Sequence, residues 1–502
     1  MEKGQLVELT IEDMSSEGQG IGKTEDGFVV FVPDSVVGDK VKATLTKVKK
    51  NYAFSELDEI LEESPFRNKE FDCQICGGCP LGLLQYEKQL EIKEKQVRNK
   101  LERLAGVSFE AADADGAAAD GPVFHPIIGM REDDNDGDGP FRYRNKATMA
   151  ISHNKRETLI GFNKAKSNDV IDCGDCYLQP LTVAAAAMAT KEFILQTKGW
   201  FTGMTVKTAF GTGQVMVVYD IVDKGAIERM MPQADLLIDL LDEAIYNLGS
   251  YDDGEPAFTL ESVALRWEKK SDKGYRGPKR YDTMILAGSN TIVDEMTLPE
   301  GPVMQFEISP ESFYQVNTAQ MQRLYGVVRD YCSKSIADGK EEAGGKPLML
   351  DLYCGVGTIG LCVADLAEKV VGIEVVRDAV VDANRNAVIN GIVNAFYVCG
   401  KAEEEIGHVL EEAGDLSGRG TIAILDPPRA GCRPELLEAI AKAGGTGAEH
   451  IVYVSCDPAT LGRDIKILMD HGYQLEEATP VDMFPHTGHV ETVALIQKRK
   501  SN

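Results

Sequence analysis

Leu348-Met349-Leu350-Asp351-Leu352-Tyr353-Cys354-Gly355-Val356-Gly357-Thr358-Ile359-Gly360 reads as an apolar strand, a glycine turn and the first turn of a helix. Short apolar runs of this kind, bounded by turn signals, suit strands buried on both faces of a parallel sheet. Three later runs repeat the arrangement. Lys369 to Ile373 ends on Glu374, Thr421 to Leu425 ends on Asp426-Pro427-Pro428-Arg429, and Ile451 to Val454 stops at Ser455-Cys456-Asp457-Pro458. Open α/β sheets bind ligands beyond the carboxyl ends of their strands, so the polar residues at these ends are the candidate site. The glycines let the backbone close on a ligand, and Glu374 at a strand end can take two ribose hydroxyls.

Gly355, Gly357 and Gly360 also fit G-x-G-x-x-G, so a nicotinamide dehydrogenase has to be weighed. Asp351, four residues before the first glycine, and Asp426 on a rigid double-proline turn suit an S-adenosylmethionine methyltransferase acting on a planar base. Hydride transfer has no use for Asp426 or for Cys456. A free cysteine is most often a small apolar filler. Cys456 is set apart by its turn, by Pro458, and by a second polar run, Phe484-Pro485-His486-Thr487-Gly488-His489-Val490-Glu491, expected at the same sheet edge.

A chain of 502 residues is too long for one core, and 43% hydrophobic with 26% charged residues describes a globular protein of two or three domains. No apolar run approaches the ~20 residues of a membrane helix. Met1-Glu2-Lys3-Gly4 lacks the layout of a signal peptide, so a cytoplasmic protein is expected; a monomer is expected as well. The net charge of −27 argues against nucleic acid only as an average. Residues 106–140 carry nine acidic residues against one arginine and read as solvated insertions. Residues 141–166 and 266–280 are basic, and Arg142, Tyr143, Arg144, Lys146, Arg266, Trp267, Lys269 and Lys270 mix cations with aromatics as an RNA-facing surface does. A plain solvated face explains either stretch equally well.

Residues 1–60 alternate short β-rich runs with glycine turns, which predicts a small OB-like antiparallel barrel. The spacing predicts a helix over 84–105, with Leu90, Val97, Leu101 and Leu104 on one stripe and Gly106 as its stop. Residues 180–300 read as α+β. Eleven cysteines inside a cell point to metal or catalytic thiols. Cys73, Cys76 and Cys79 converge easily on one centre, and Cys173 and Cys176 can complete it. That spacing permits zinc and a [4Fe–4S] cluster alike.

Asp351-Leu352-Tyr353-Cys354-Gly355-Val356-Gly357, Asp426-Pro427-Pro428-Arg429, Ser455-Cys456-Asp457-Pro458 and Phe484-Pro485-His486-Thr487-Gly488-His489-Val490-Glu491 occur in the order of the RNA uracil-5 methyltransferases, which the chain resembles over nearly its whole length. Residues 1–60 are similar to a TRAM domain. The resemblance implies three parts: 1–60, a TRAM barrel that binds RNA; 61–306, a central α+β domain with the cysteine cluster and acidic insertions; 307–502, a Rossmann-like S-adenosylmethionine methyltransferase domain. It implies that Gln315, Tyr353, Glu374 and Asp426 contact the methyl donor or the target base. It implies a [4Fe–4S] cluster on Cys73, Cys76, Cys79 and Cys176, although relatives place the first cysteine further ahead and Cys173 is an extra candidate.

The implied reaction is C5 methylation of a flipped-out uridine, with Cys456 adding to C6 and Glu491 removing the C5 proton; His486 and His489 are alternative bases. The amides opening the helix after Cys456 are expected to lower its pKa. Large-subunit (23S) ribosomal RNA is the expected substrate, with transfer RNA as the alternative. A non-enzymatic RNA-binding metalloprotein is the rival from another class.

Overall fold

In the N-terminal runs every second side chain is apolar, and those side chains turn inward. In the computed structural model the strands β1 (Leu6–Met14), β2 (Gly20–Lys23), β3 (Val29–Val32), β4 (Lys40–Val48) and β5 (Tyr52–Glu62) close a barrel in the order β1-β2-β3-β5-β4. Val7, Leu9, Ile11, Val30, Val32, Val41, Ala43 and Ala53 fill it. One pair, β3 with β5, is parallel, so the barrel is not wholly antiparallel. The structure describes residues 1–71, 73, 76–109, 121–153, 157–165, 167–197, 201–250, 255–269, 280–339, 345–412, 420–442 and 448–499. Lys270, most of the second basic stretch and part of the acidic insertions lie outside them.

Helix α1 (Tyr86–Ala105) ends at Gly106 in the left-handed conformation, φ 73°, as the sequence predicts. Its buried face differs from the predicted stripe: Gln89 and Lys93 are inside with Ile92, Val97 and Leu101, while Leu90 and Leu104 are only partly buried. The short strand β6 (Val123–Phe124) follows. The central domain contains β7 (Lys146–His153), β8 (Thr158–Asn163), β9 (Val170–Asp172), α2 (Leu181–Thr197), β10 (Phe201–Thr208), β11 (Gln214–Ile221), α3 (Gly225–Met230), α4 (Ala234–Tyr246), β12 (Thr259–Glu268) and β13 (Tyr281–Gly288). Its strands form one seven-stranded sheet, β13-β12-β11-β10-β7-β8-β9. A separate hairpin, β14 (Ile292–Thr297) with β15 (Val303–Ile308), leads into α5 (Thr318–Gly339). The expected boundary between 306 and 307 therefore falls inside a strand.

The C-terminal part alternates strand and helix: β16 (Leu348–Leu352), α6 (Thr358–Cys362), β17 (Lys369–Glu374), α7 (Arg377–Ile389), β18 (Ala395–Cys399), α8 (Ala402–Glu412), β19 (Thr421–Leu425), α9 (Pro434–Lys442), β20 (His450–Ser455), α10 (Pro458–Asp470), then β21 (Tyr473–Val481) and β22 (Glu491–Lys498). The sheet order is β18-β17-β16-β19-β20-β22-β21-β6. From β18 to β20 the strands are parallel, and every residue of β16, β19 and β20 is buried. From β16 the chain runs outward through β17 to β18, then crosses back to β19 on the other side of β16 and on to β20, and such a switch point opens a crevice at the carboxyl edge. The sheet also recruits chain assigned to the middle domain: β6 pairs with β21, and Val97, Leu101, Ala105, Phe109 and Phe124 share its core. Among the described residues no helix is long and apolar enough to cross a membrane.

Candidate active site

The glycine turn after β16 is forced by backbone conformation. Tyr353 (φ 66°), Gly355 (φ 54°) and Gly357 (φ 79°) all lie in the left-handed region, which costs a tyrosine more than a glycine. The resulting loop aims its amides at the sheet edge. Gly360 N donates to Asp351 Oδ2 at 2.9 Å, and a Cβ on Gly360 would come within 2.6 Å of that same oxygen. Among the described residues Asp351 Oδ1 is buried without a partner, and burial pushes the carboxyl up to about 7. Glu374, at the end of β17, accepts from Gly355 N at 3.1 Å and from Val376 N at 2.8 Å. An orphaned buried acceptor, a partly exposed carboxylate and a glycine cradle fit the ammonium and ribose of S-adenosylmethionine. Gln315 joins from the segment before α5, its carbonyl accepting from Asn145 Nδ2 at 2.8 Å.

Across the switch point the ends of β19, β20 and β22 bring three predicted residues together. Asp426 follows β19, Cys456 follows β20 and Glu491 opens β22. Burial pushes Asp426 up to about 7. Glu491 is 5% exposed, and burial, helped by the Asp426 carboxylate and opposed by Arg429, takes it to about 8. The Cys456 thiol is pushed up to about 11, by burial first and then by Glu491 and Asp426, with Arg429 opposing. This corrects the expectation of a lowered thiol. The first-turn amide of α10 is already taken by Asp457, whose Oδ1 accepts from Ala459 N at 2.7 Å, so the helix end offers Cys456 little.

The segment linking β21 to Glu491 is held by residues that sequence reasoning missed. Lys93 Nζ donates to Asp482 Oδ1 at 2.6 Å and to the Phe484 carbonyl at 3.0 Å, and neither charged side chain is more than 1% exposed. Tyr86 OH donates to Asp482 Oδ2 at 3.0 Å, and Tyr143 OH donates to the Pro485 carbonyl at 3.1 Å. The available signal was a glutamine and a lysine four residues apart on the core side of a helix. His486 sits at the centre of this packing with φ 66°. Its amide donates to Gln89 Oε1 at 2.9 Å, its carbonyl accepts from Leu81 N at 2.9 Å, and its ring stacks on Phe141 at 4.5 Å and on Phe71 at 5.7 Å. Burial and then Lys93 push this imidazole down to about 3, which makes it a weak base, and its ring is enclosed between aromatic neighbours; both argue against the role of alternative base. His489 is also lowered, by burial and then Arg429, but its ring remains at the opening.

Cys456 opens onto a cleft of about 610 Å³ walled by all three parts of the chain: Ser16 and Glu17 of the barrel, Gly77 and Gly78 of the cysteine loop, Lys100 of α1, and Arg144, Arg429 and His489. Two glycines make the barrel fit. A Cβ on Gly18 would lie 2.2 Å from the Pro80 carbonyl oxygen, and one on Gly488 would lie 1.8 Å from that of Ser16.

The basic stretches are only in part a free surface. Arg142 pairs with Asp175 at 3.0 Å, Arg266 with Asp220 at 2.6 Å, and Lys269 with Asp282 at 3.3 Å; Tyr143 is fully buried, Trp267 packs on the central core, and Lys146 is partly buried. Their mixed texture arises mainly from cations answering acids on neighbouring strands, and Arg144 is the member that lines the cleft.

Cys73, Cys76, Cys79, Cys173 and Cys176 are all partly buried and within electrostatic reach of one another. Burial raises the Cys79 thiol, and Cys176, Cys76 and Cys73 raise it further. Cys176 is lowered, chiefly by a hydrogen bond with Cys173. Among the described residues no three His, Cys, Asp or Glu side chains are arranged to hold a metal ion. As a donor set, however, five neighbouring thiols fit a soft metal or a cluster.

Residues 280–499 match the family model described as tRNA (Uracil-5-)-methyltransferase, and residues 1–57 match the TRAM domain. The chain is 33% identical to an uncharacterized RNA methyltransferase of Clostridium acetobutylicum, over 99% of this chain and 98% of that one. It is 34% identical, with the same coverage, to an uncharacterized RNA methyltransferase of Caldanaerobacter subterraneus. Among solved structures it is similar to the Pyrococcus abyssi tRNA (uracil-54, C5)-methyltransferase in complex with S-adenosyl-L-homocysteine, with 27% identity and a TM-score of 0.63 over 98% of this chain and 100% of that one. A barrel docked against a thiol-bearing cleft, a glycine cradle at the switch point and relatives that match from end to end lead to one assignment: the chain belongs to the RNA uracil-5 methyltransferase family, in its TRAM-containing form, and is an S-adenosylmethionine-dependent RNA methyltransferase.

Proposed function

We propose that the protein methylates C5 of a uridine in RNA through a covalent bond between Cys456 and C6 of the ring. The observation that carries this reading is the meeting of one thiol with two carboxylates poised near neutrality, Asp426 and Glu491, at the ends of three adjacent strands. Uracil C5 is too weak a nucleophile unaided; adding sulfur at C6 moves the C5–C6 π pair into an enolate that is nucleophilic at C5. Because the resting thiol is protonated, its proton passes to the Asp426 carboxylate as the S–C6 bond forms, which leaves Glu491 free to accept the later C5 proton.

Gln315, Tyr353, Asp351, Glu374 and the Gly355–Gly357 turn would hold the methyl donor, and Asp426 the ring edge. Bound S-adenosylmethionine supplies the electrophilic methyl group. Afterwards Glu491 takes the C5 proton, the freed pair restores the C5–C6 double bond, and Cys456 leaves as the thiolate. A carboxylate held near 8 suits that proton transfer better than a solvated one.

Cys73, Cys76, Cys79 and Cys176 are proposed to carry a [4Fe–4S] cluster, with Cys173 beside them and zinc as the second candidate. A cluster there would tie the loop around Cys79 to the one around Cys176. Among RNA classes, the sequence resemblance favours large-subunit ribosomal RNA. The full-length likeness to a transfer-RNA enzyme favours transfer RNA as a second reading.

Glu491→Gln is expected to accumulate a methylated protein–RNA adduct that survives denaturing gels, while Cys456→Ala and the double variant form none. Normal turnover by Glu491→Gln without trapped RNA would exclude that role. Mapping 5-methyluridine in ribosomal and transfer RNA from cells lacking the gene separates the two substrate classes.

A further inference from the structure

Among the described residues two lysines are buried, Lys93 and Lys207. Lys93 is paired with Asp482. Lys207, at 3% exposure, has no ion-pair partner among the described residues and donates instead to two backbone carbonyls, that of Ser309 at 2.6 Å and that of Ser312 at 3.1 Å. A buried ammonium without a counter-ion is costly, and burial, followed by the nearby Lys146, lowers this one to about 7. Both of its contacts fall on one segment, residues 309–317, which joins β15 to α5 and carries Gln315.

The same segment is held at several further points. Lys207 lies opposite Lys146 in the β10–β7 pair, and the carbonyl of Asn145, just before β7, accepts from Thr208 N at 2.8 Å, so Lys207 and Asn145 stand at the same end of the paired strands. Asn145 N donates to the Val316 carbonyl at 2.8 Å, and its Nδ2 donates to the Gln315 carbonyl at 2.8 Å and to Thr318 Oγ1 at 3.1 Å. From α7, Asp382 Oδ2 accepts from the Ser312 hydroxyl at 2.8 Å and the Ser309 hydroxyl at 3.2 Å. The segment is thus strapped between the central sheet and a helix of the methyltransferase part, while the Gln315 side chain stays partly exposed. A cavity of about 10 Å³ between Asn145, Lys207 and Tyr314 has room for roughly one water. It is too small to admit a ligand to the ammonium, so any effect of Lys207 on the chemistry passes through the segment it holds.

We propose that Lys207 and Asn145 are positioning residues for the methyl donor: from the end of the central sheet they fix the backbone on which Gln315 stands, and the central domain thereby sets donor affinity without touching the donor. The inference rests on the reading of Gln315 as a contact of S-adenosylmethionine. Charge-assisted hydrogen bonds to the carbonyls ahead of Gln315, with those of Asn145 at Gln315 and Val316, leave this backbone little freedom. A contact held in place beforehand loses less entropy when the ligand binds.

The test is calorimetric titration of the full-length protein with S-adenosyl-L-homocysteine in the absence of RNA. Lys207→Met is similar in shape and removes a buried charge that has no counter-ion, so it should fold, which thermal unfolding checks. Asn145→Ala is the second variant and acts from the neighbouring strand. Each should weaken binding on the order of tenfold. In methyl-transfer assays the loss should fall on the KM for S-adenosylmethionine more than on kcat. Gln315→Ala should weaken binding at least as much, and adding either change to it should weaken binding by less than about a further twofold, because both act through Gln315.

Affinity within twofold of wild type in folded Lys207→Met and in Asn145→Ala would overturn the proposal. So would a tenfold loss that persists in the Gln315→Ala background, which would make the two residues general supports of the fold. If Lys207→Met does not fold, the Asn145→Ala measurements with and without Gln315→Ala decide by the same criteria. If Gln315→Ala alone binds like wild type, the reading of Gln315 as a donor contact falls and the positioning role with it. If Gln315→Ala binds weakly while the other two variants bind normally, only the positioning role falls.

Discussion

Gly488→Ala tests how far catalysis depends on the docked barrel. Gly488 does not lie in the left-handed backbone region, so alanine carries no conformational penalty and the whole effect is steric. Its Cβ would lie 1.8 Å from the Ser16 carbonyl oxygen, 2.6 Å from the Ser16 carbonyl carbon and 3.0 Å from Ser16 Cα. None of these is a flexible side-chain end that can swing away. Bringing the closest contact to the 3.0 Å limit requires the barrel and the loop to part by about 1.2 Å. His489 and Glu491 lie one and three residues further on, so either they move or the cleft wall opposite Cys456 does. A misplacement of about 1 Å can cost on the order of 100-fold in rate. Steady-state methyl transfer is expected to show a fall in kcat on that scale, with weaker RNA binding as the barrel loosens. The control is Gly407→Ala in α8, where nothing lies within 4 Å and alanine should leave the rate unchanged. Wild-type kcat and RNA affinity in Gly488→Ala would refute the reasoning that the barrel and the loop leading to Glu491 are held as one body.

Arg429→Ala removes a cation that lowers both Cys456 and Glu491, so both groups should ionise at higher pH. The rising limb of the pH–rate profile, expected near 8 in wild type, should move upward, and an unmoved limb would show that neither group controls it. Asp351, Asp426 and Glu491 all have raised folded-state values, so their contribution to stability is fully present below their unfolded values and is lost as pH climbs through about 7 to 8. Glu491→Gln should accordingly unfold at a higher temperature than wild type at pH 8.5 and lose that advantage at pH 4. Lys93→Met leaves Asp482 buried without its cation, a change that typically costs about 3–5 kcal/mol. Thermal unfolding should be markedly earlier, and Lys93→Met/Asp482→Asn should recover part of the loss. Anaerobically purified protein is expected to carry iron and labile sulfide in roughly four-to-four proportion per chain. Stoichiometric zinc without sulfide would reassign the thiols.

Local signals in the sequence determined the elements and the chemistry-bearing residues. The inward alternation of residues 6–62 specified a barrel, and the apolar runs ending on Asp351, Glu374, Asp426 and Cys456 specified a parallel sheet with those residues on one edge, because every parallel strand presents the same end. Only the tertiary structure decided how that edge behaves electrically. Three carboxyl groups and a thiol crowd a desolvated site, so Cys456 rises where its helix position alone suggested a fall. It also decided the role of His486, a candidate base in the sequence and a buried, stacked support in the fold.

The domain boundaries, Lys93–Asp482 and the docking glycines were illegible for one reason. Each depends on chain segments far apart in sequence, Lys93 and Asp482 by 389 residues, and no local pattern records what a side chain will meet across such a separation. Gly488 reads as a turn residue until the Ser16 carbonyl is seen against it.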